Sequence, residues 1–331
     1  MGIKIAIVDP AGERRKKQLV QFLPYVLSGI FFIILPFMLP PFYQVIISKA
    51  FALAIFAMSL DLLVGYTGLF SLGHAVFFGA GGYTVAMLML HGGTTSFWIG
   101  APLGIIIAAL LAVISGVLVV RFSGLYFLLL TFALGELLFG FAWRVKWFQT
   151  PGVEACIGIP KPNLGIPWFT WTSTSFYFFC FISFVLSFFL LKRIVNSHFG
   201  NALTGIRENE VRMRTLGYNV WLYKYVAYII GGAFAGLGGV LFAYVMGFTV
   251  PELFGLQYSF MGQLMIILGG VGTIFGPVIG TLIIVFLELV ISLIAPVRWP
   301  LILGSIFVVI IMFFRGGLAP HLVRVWKKRF Y

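Results

Sequence analysis

Residues 268–280 read LGGVGTIFGPVIG, where five glycines and a proline interrupt an otherwise apolar run. In hydrocarbon an unpaired backbone N–H or C=O costs several kcal/mol, so non-helical main chain at membrane depth persists only where protein or water covers it. Residues 65–74, GYTGLFSLGH, form a second break of the same kind and are followed by Gly79, Gly81 and Gly82. Interrupted apolar segments in two halves of one chain point to a transport path.

The rest of the chain supplies the membrane context. Hydrophobic residues make up 61% of it and charged residues 9%, against roughly 25% charged in a soluble domain. The fold class is therefore all-α integral membrane, a polytopic helix bundle. Apolar runs bounded by loop residues predict about ten helices, at 20–39, 42–64, 74–91, 97–120, 125–147, 173–191, 220–246, 257–271, 274–295 and 299–314. The organisation reads as a basic segment 1–19, a transmembrane domain 20–314 with one long loop at 192–219, and a basic tail 315–331. The first run is too long for a signal peptide and lacks a cleavage pattern, so it reads as a retained helix.

Charge sets the orientation. Arg14, Arg15, Lys16, Lys17, Arg121, Lys192, Arg193 and the tail bases Arg324, Lys327, Lys328 and Arg329 fall on one side, with Arg144, Lys146, Lys161 and Arg298 on the other. Positive loops stay inside, so both termini and the loop 192–219 are expected in the cytoplasm. The same placement absorbs the net charge of +13. A nucleic-acid partner is not expected, because it would need the basic residues gathered on one solvated face.

Several chemistries are excluded by motif. There is no G-x-x-x-x-G-K-[ST] and no glycine followed by lysine, so ATP energy would have to come from another subunit. The four histidines and two cysteines have no metal-ligand spacing, and no G-x-S-x-G elbow occurs. The chain is expected to be non-catalytic, with no metal and no cofactor of its own.

Candidate functional residues follow from cost. Glu136 lies near the middle of its span, where an ionisable group is expensive and marks function by default; a hydrogen bond to a neighbouring helix is the competing role. Asp61 and Glu288 lie nearer helix ends. Thr67, Ser71 and His74 place three hydrogen-bonding side chains beside glycines, and broken-helix N-termini suit a carboxylate. Gly269, Gly270 and Gly272 carry the second break. Against this, glycines at small-xxx-small spacing also serve tight helix packing, the reading preferred for Gly232 and Gly236. In the loop 192–219, Ala202, Leu203, Ile206, Val211, Met213 and Leu216 recur at helical spacing among charges, predicting an amphipathic helix with a docking face. Glu208 and Glu210 would repel anionic lipid, so a protein partner fits it better than the membrane surface.

These motifs together resemble one family, the membrane-spanning subunits of ABC importers for branched-chain amino acids, of the hydrophobic amino acid uptake type. The resemblance covers about residues 50–320 and rests on LLVGYTGLFSLGHAVFFGAGGYT (62–84), RFSGLYFLLLTFALGE (121–136), FGNALTGIRENEVRMRTLGYNVWLYK (199–224), LGGVGTIFGPVIG (268–280) and FFRGGL (313–318). The chain departs from the family's pattern at Asp61, Leu69 and Phe70. The resemblance implies a permease subunit of the bacterial cytoplasmic membrane, moving hydrophobic amino acids inward by alternating access. It implies as partners a second permease subunit in a heterodimer, two cytoplasmic ATPases and an extracytoplasmic substrate-binding protein. It places ATPase coupling at 199–217, through Gly200, Leu203, Ile206, Arg207, Glu208, Glu210 and Gly217, and lines the passage with the two breaks. Similar permeases serve urea or short amides. A stand-alone ion-coupled transporter is the rival from a different class.

Overall fold

The computed structural model describes residues 29–312, apart from 94–95, 147–148, 151–153, 164, 166–170, 295–300, 303, 306–307 and 309–311. Among the described residues seven helices are long and apolar enough to cross a membrane, and two shorter apolar helices accompany them. The first of the short pair is α1, Gly29–Met38. Then come α2 (Pro41–Asp61), which runs on as a π-helical turn Leu62–Thr67, α3 (Ala75–Gly92), α4 (Phe97–Val119) and α5 (Leu125–Arg144). Next are α6 (Ser173–Val195), two short helices α7 (His198–Glu208) and α8 (Glu210–Thr215), α9 (Val220–Met246), the short α10 (Leu256–Gly269) and α11 (Phe275–Ile294). The expected helix at 299–314 falls largely outside the described residues, as do both termini.

Small residues let the central helices approach closely. α4 turns Gly104, Ala108, Ala112 and Gly116 inward, all buried, toward the glycine-rich face of α9. A Cβ on Gly232 would stand 2.7 Å from Ala112 Cβ, and one on Gly236 would collide with Ala108 Cβ. The packing role expected for Gly232 and Gly236 is what the structure shows. Between helices in lipid, where burial of apolar surface is no driving force, such contact supplies the attraction. α3 packs against the same helix, with Gly81 against the Gly236 carbonyl and Gly239 against the Phe78 carbonyl.

Aromatic residues do the equivalent work on the other side of α2. Phe51 meets Phe181 and Phe184 of α6 with ring centroids 5.4 and 5.2 Å apart, and Tyr177 donates a 2.8 Å hydrogen bond to the Phe32 carbonyl of α1. Buried Gln44 donates to the Pro36 carbonyl at 2.8 Å, which fixes the tight turn between α1 and α2. Lys49 and Glu288, distant in sequence, pair across α2 and α11, with Nζ 2.9 Å from each carboxylate oxygen. Neither charge is left alone at membrane depth.

At the far end of α9 from α8, about 40 Å along a helix of 27 residues, a two-residue antiparallel ribbon joins Cys156–Ile157 to Phe248–Thr249. It ties the α5–α6 connection to the end of α9.

Candidate coupling and translocation site

The two breaks meet. α2 loosens into its π turn immediately after Asp61, a device common at functional sites because it frees a backbone group from the helical ladder. Asp61 is fully buried, and its Oδ1 accepts the Gly272 amide at 2.8 Å. A Cβ on Gly65 would collide with Asp61 Oδ1 and the Gly272 amide and would stand 2.6 Å from Gly272 Cα, so no larger residue fits. Gly272 itself sits at φ 77°, a conformation that glycine alone adopts without strain. The main chain that interrupts the two spans is thus covered by protein at Asp61, Gly65, Gly269 and Gly270, while Gly272 is half-buried and Val271 is 41% exposed.

A third element closes the junction. Arg207, at the end of α7, donates from Nη1 to the Gly65 carbonyl. A Cβ on Gly68 would lie 3.0 Å from Arg207 Cγ, and one on Gly272 would lie 3.1 Å from Arg207 Nη1. Arg207 thus touches both breaks.

The remaining candidates divide by burial. Thr67 is buried and bonds back to the Leu63 carbonyl in its own turn. Ser71 is fully buried, and its carbonyl accepts from Gln263 of α10 at 2.9 Å. His74 is fully buried, with Nε2 2.9 Å from Ser59 Oγ and its ring stacked on Phe56 at 5.7 Å. Gly73, beside it, is packed on the Thr131 carbonyl of α5. Of the glycines in 65–74, Gly65 and Gly73 are buried and Gly68 is half-buried, and Ser71 Oγ and His74 Nδ1 have no hydrogen-bond partner among the described residues. Gly269 lies against the Gly276 carbonyl, and Gly270 makes the sharp exit from α10 at φ 118°.

Glu136 departs from that pattern, since it is exposed on α5. The helix buries Phe127, Thr131, Gly135 and Ala142 and turns Leu129, Leu137 and Phe141 outward with Glu136. The hydrogen bond to a neighbouring helix that competed for this residue is not made by any described residue. Between α3, α4 and α5 lies a cavity of about 620 Å³, lined by Tyr83, Thr84, Leu103, Ile107, Phe141 and Ala142 among others. It is almost wholly apolar, with no lysine, arginine, aspartate or glutamate in its lining, so it offers no pair of charges for a zwitterion. Among the described residues no cluster of histidine, cysteine, aspartate or glutamate could hold a metal ion.

The loop expected as one amphipathic helix is two, split at Asn209. Asn209 turns to extended backbone, and its side chain accepts the Arg212 amide at 2.9 Å to cap α8. Asn219 caps α9 in the same way, and Gly217 turns between them at φ 86°. Gly200 allows the tight entry from α6, lying against the Val195 carbonyl. Leu203 and Ile206, expected on a coupling surface, are buried in the chain itself. Ile206 packs with Ala202, Met213 and Val220, because an amphipathic helix lying on a bundle spends its apolar stripe there. What faces out is Glu208, with Val211 at 71% and Leu216 at 66% exposure. Glu210 is a fastener: it accepts from Lys224 of α9 and from Arg214, each at 2.6 Å. Burial pushes its carboxyl up, but Lys224 and Arg214 outweigh that and hold it below the ordinary glutamate value.

The family described as "Branched-chain amino acid transport system / permease component" matches residues 43–315, taking in both breaks, α5 and the α7–α8 unit. The chain belongs to this family. The permease is a multi-pass membrane protein. It is 30% identical over 257 residues to the high-affinity branched-chain amino acid transport system permease protein LivM of Salmonella typhimurium, and equally to that of Escherichia coli strain K12. Each match takes in 70% of this chain and 59% of the relative. The autoinducer 2 import system permease protein LsrC of Shigella flexneri is 24% identical over 156 residues, 45% of this chain and 46% of the relative. No solved structure matches the chain.

Proposed function

We propose that this permease is a non-catalytic, membrane-spanning subunit of an ATP-driven importer, moving branched-chain or other hydrophobic amino acids into the cell by alternating access. The observation that carries the reading is the α7–α8 unit, which joins both breaks on its inner side and offers Glu208, Val211 and Leu216 on its outer side. Exposed apolar side chains set among Arg212, Arg214 and Glu208 suit a protein partner. We assign that partner as a cytoplasmic ATPase, two of which would serve a pair of permeases. Closure of the ATPases would then move α7–α8, and the helices around the breaks would reorient as rigid bodies.

The second permease belongs on the outward face of α5. A carboxylate at membrane depth is costly against lipid, and Glu136 faces out of this chain. A partner subunit enclosing a polar passage would resolve that cost. An extracytoplasmic binding protein would deliver the solute at the end that carries the two-residue ribbon. The similarity to LsrC, an import system permease named for autoinducer 2, favours a second reading in which the solute is not a branched-chain amino acid, and the alternative we propose is an ABC permease for urea or short amides.

Proteoliposomes test both. The permease would be reconstituted with its companion permease, ATPases and binding protein, and radiolabelled leucine uptake followed on adding ATP. Uptake that requires ATP and is competed by valine and isoleucine supports the proposal. Leucine uptake by the permease alone under a proton or sodium gradient overturns it. ATP-dependent uptake of urea or a short amide, without leucine, transfers the assignment to that solute.

A further inference from the structure

Arg207 lies in the segment assigned to ATPase docking, and although the residue is exposed overall, its guanidinium reaches from α7 into the bundle. It bonds the Gly65 carbonyl in the π turn of α2 and lies against Gly272 and Gly68. Gly272 is in turn held by Asp61. Resting on the importer reading, we infer that Arg207 is a positioning residue that hands movement of α7 to both breaks at one point, with the Asp61–Gly272 bond as the second half of the link.

Three observations support this over simple fastening. α7 already has its anchorage, in the buried Ala202, Leu203 and Ile206 and in the Glu210 ion pairs of the following helix, so the position of α7–α8 does not depend on Arg207. The group Arg207 binds is a backbone carbonyl at a π turn, where the helical ladder is interrupted and the main chain can shift register. The groups Arg207 meets include three glycines, Gly65, Gly68 and Gly272, so there guanidinium displacement acts directly on main chain. A planar guanidinium with several donors in a rigid fork transmits such a push better than a flexible ammonium does.

The test uses the whole complex in proteoliposomes and reads leucine moved per ATP hydrolysed, together with amide exchange of residues 268–274. Arg207→Met is expected to leave the ATPases co-purifying and hydrolysing ATP while solute moved per ATP falls about fivefold or more, the low end of couplings between distinct sites. Arg207→Lys is expected to restore part of the ratio. Asp61→Asn is expected to lower the ratio as well, and the double variant to lose no more than the worse single, as members of one link do. In the wild-type complex ATP is expected to change exchange at 268–274, and in Arg207→Met that response is expected to be lost. An unchanged ratio in Arg207→Met overturns the link, whether or not yield falls. So does loss of ATPase co-purification, which would make Arg207 a docking residue. A wild-type complex that moves no solute with ATP defeats the importer reading itself, a result separable from both.

Discussion

Asp61 on α2 and Gly272 in the α10–α11 turn are joined by a 2.8 Å hydrogen bond across 211 residues of chain. The bond is possible because Gly65 stands between them without a side chain. Of the buried Asp61 carboxylate, Oδ1 receives the Gly272 amide while Oδ2 has no hydrogen-bond partner among the described residues, and the amide of the left-handed turn is satisfied without helix. One contact thus ties the two breaks together, serving Asp61 Oδ1 on α2 and the Gly272 amide in the α10–α11 turn.

Gly65→Ala tests that geometry. The added methyl must displace Asp61 or the Gly272 main chain, overpacking that costs about 1–3 kcal/mol. Gly140 in α5 has nothing within 4 Å of its missing Cβ, so Gly140→Ala is expected to change stability by less than about 0.5 kcal/mol. Thermal unfolding of the detergent-extracted permease compares them. Equal melting of the two variants would mean the breaks are not in contact.

The Lys49–Glu288 pair joins α2 to α11 with side chains only 19% and 24% exposed. Lys49→Met leaves a carboxylate without its partner in apolar surroundings, expected to cost about 3–5 kcal/mol, whereas the double variant Lys49→Met with Glu288→Leu is expected to regain most of it. Folded yield and unfolding temperature read the pattern. A double variant no better than the worse single would show that the charges serve something other than each other.

Glu210 gives a pH dependence. Its carboxyl is held below the ordinary 4.5 in the folded protein by Lys224 and Arg214. The folded state therefore binds that proton less tightly than the unfolded state. Its contribution is fully present above pH 4.5 and is lost as pH falls through the depressed value. With Glu210 part-exposed, the contribution is about 1 kcal/mol or less. Amide exchange in α8 is expected to quicken as pH drops below 4.5, after correction for intrinsic rates. In Glu210→Gln it is expected to be quick throughout. A pH-independent α8 in the wild type would remove the ion pairs from its support.

Much of the architecture was legible because glycine is informative in an apolar chain. The breaks at 65–74 and 268–280 and the packing of Gly232 and Gly236 follow from where glycines cluster or recur at small-xxx-small spacing, and the same segments carry the family resemblance. What was hidden depended on tertiary contact. The spacing of Leu203 and Ile206 shows an apolar stripe but not whether it turns to the bundle or to a partner. Asn209 interrupts no periodicity in the sequence, yet its extended backbone ends α7 and its side chain begins α8. Thr67, Ser71 and His74 read as polar groups beside glycine amides, and the sequence did not show that Thr131 would take the Leu72 amide, Gln263 the Ser71 carbonyl and Ser59 the His74 ring. The ribbon at Cys156 has only two residues a strand, too few for any alternation to register.

Burial also separates fold from docking within the α7–α8 unit. Ile206 is 3% exposed and Val211 is 71% exposed, five positions apart. A carboxylate at 206 would enter the cluster of Ala202, Met213 and Val220 without a partner, so Ile206→Asp is expected to cost several kcal/mol and to lower folded yield. Val211→Asp adds charge where water already reaches, and its effect on stability is expected within about 0.5 kcal/mol. If Val211 lies under an ATPase, that variant places a carboxylate in an apolar contact, and co-purification of the ATPase is expected to fall at least about tenfold, a loss of roughly 1.4 kcal/mol. Thermal unfolding and co-purification, measured together on both variants, separate the two roles. Undiminished ATPase capture by a stably folded Val211→Asp would move the docking surface off α8.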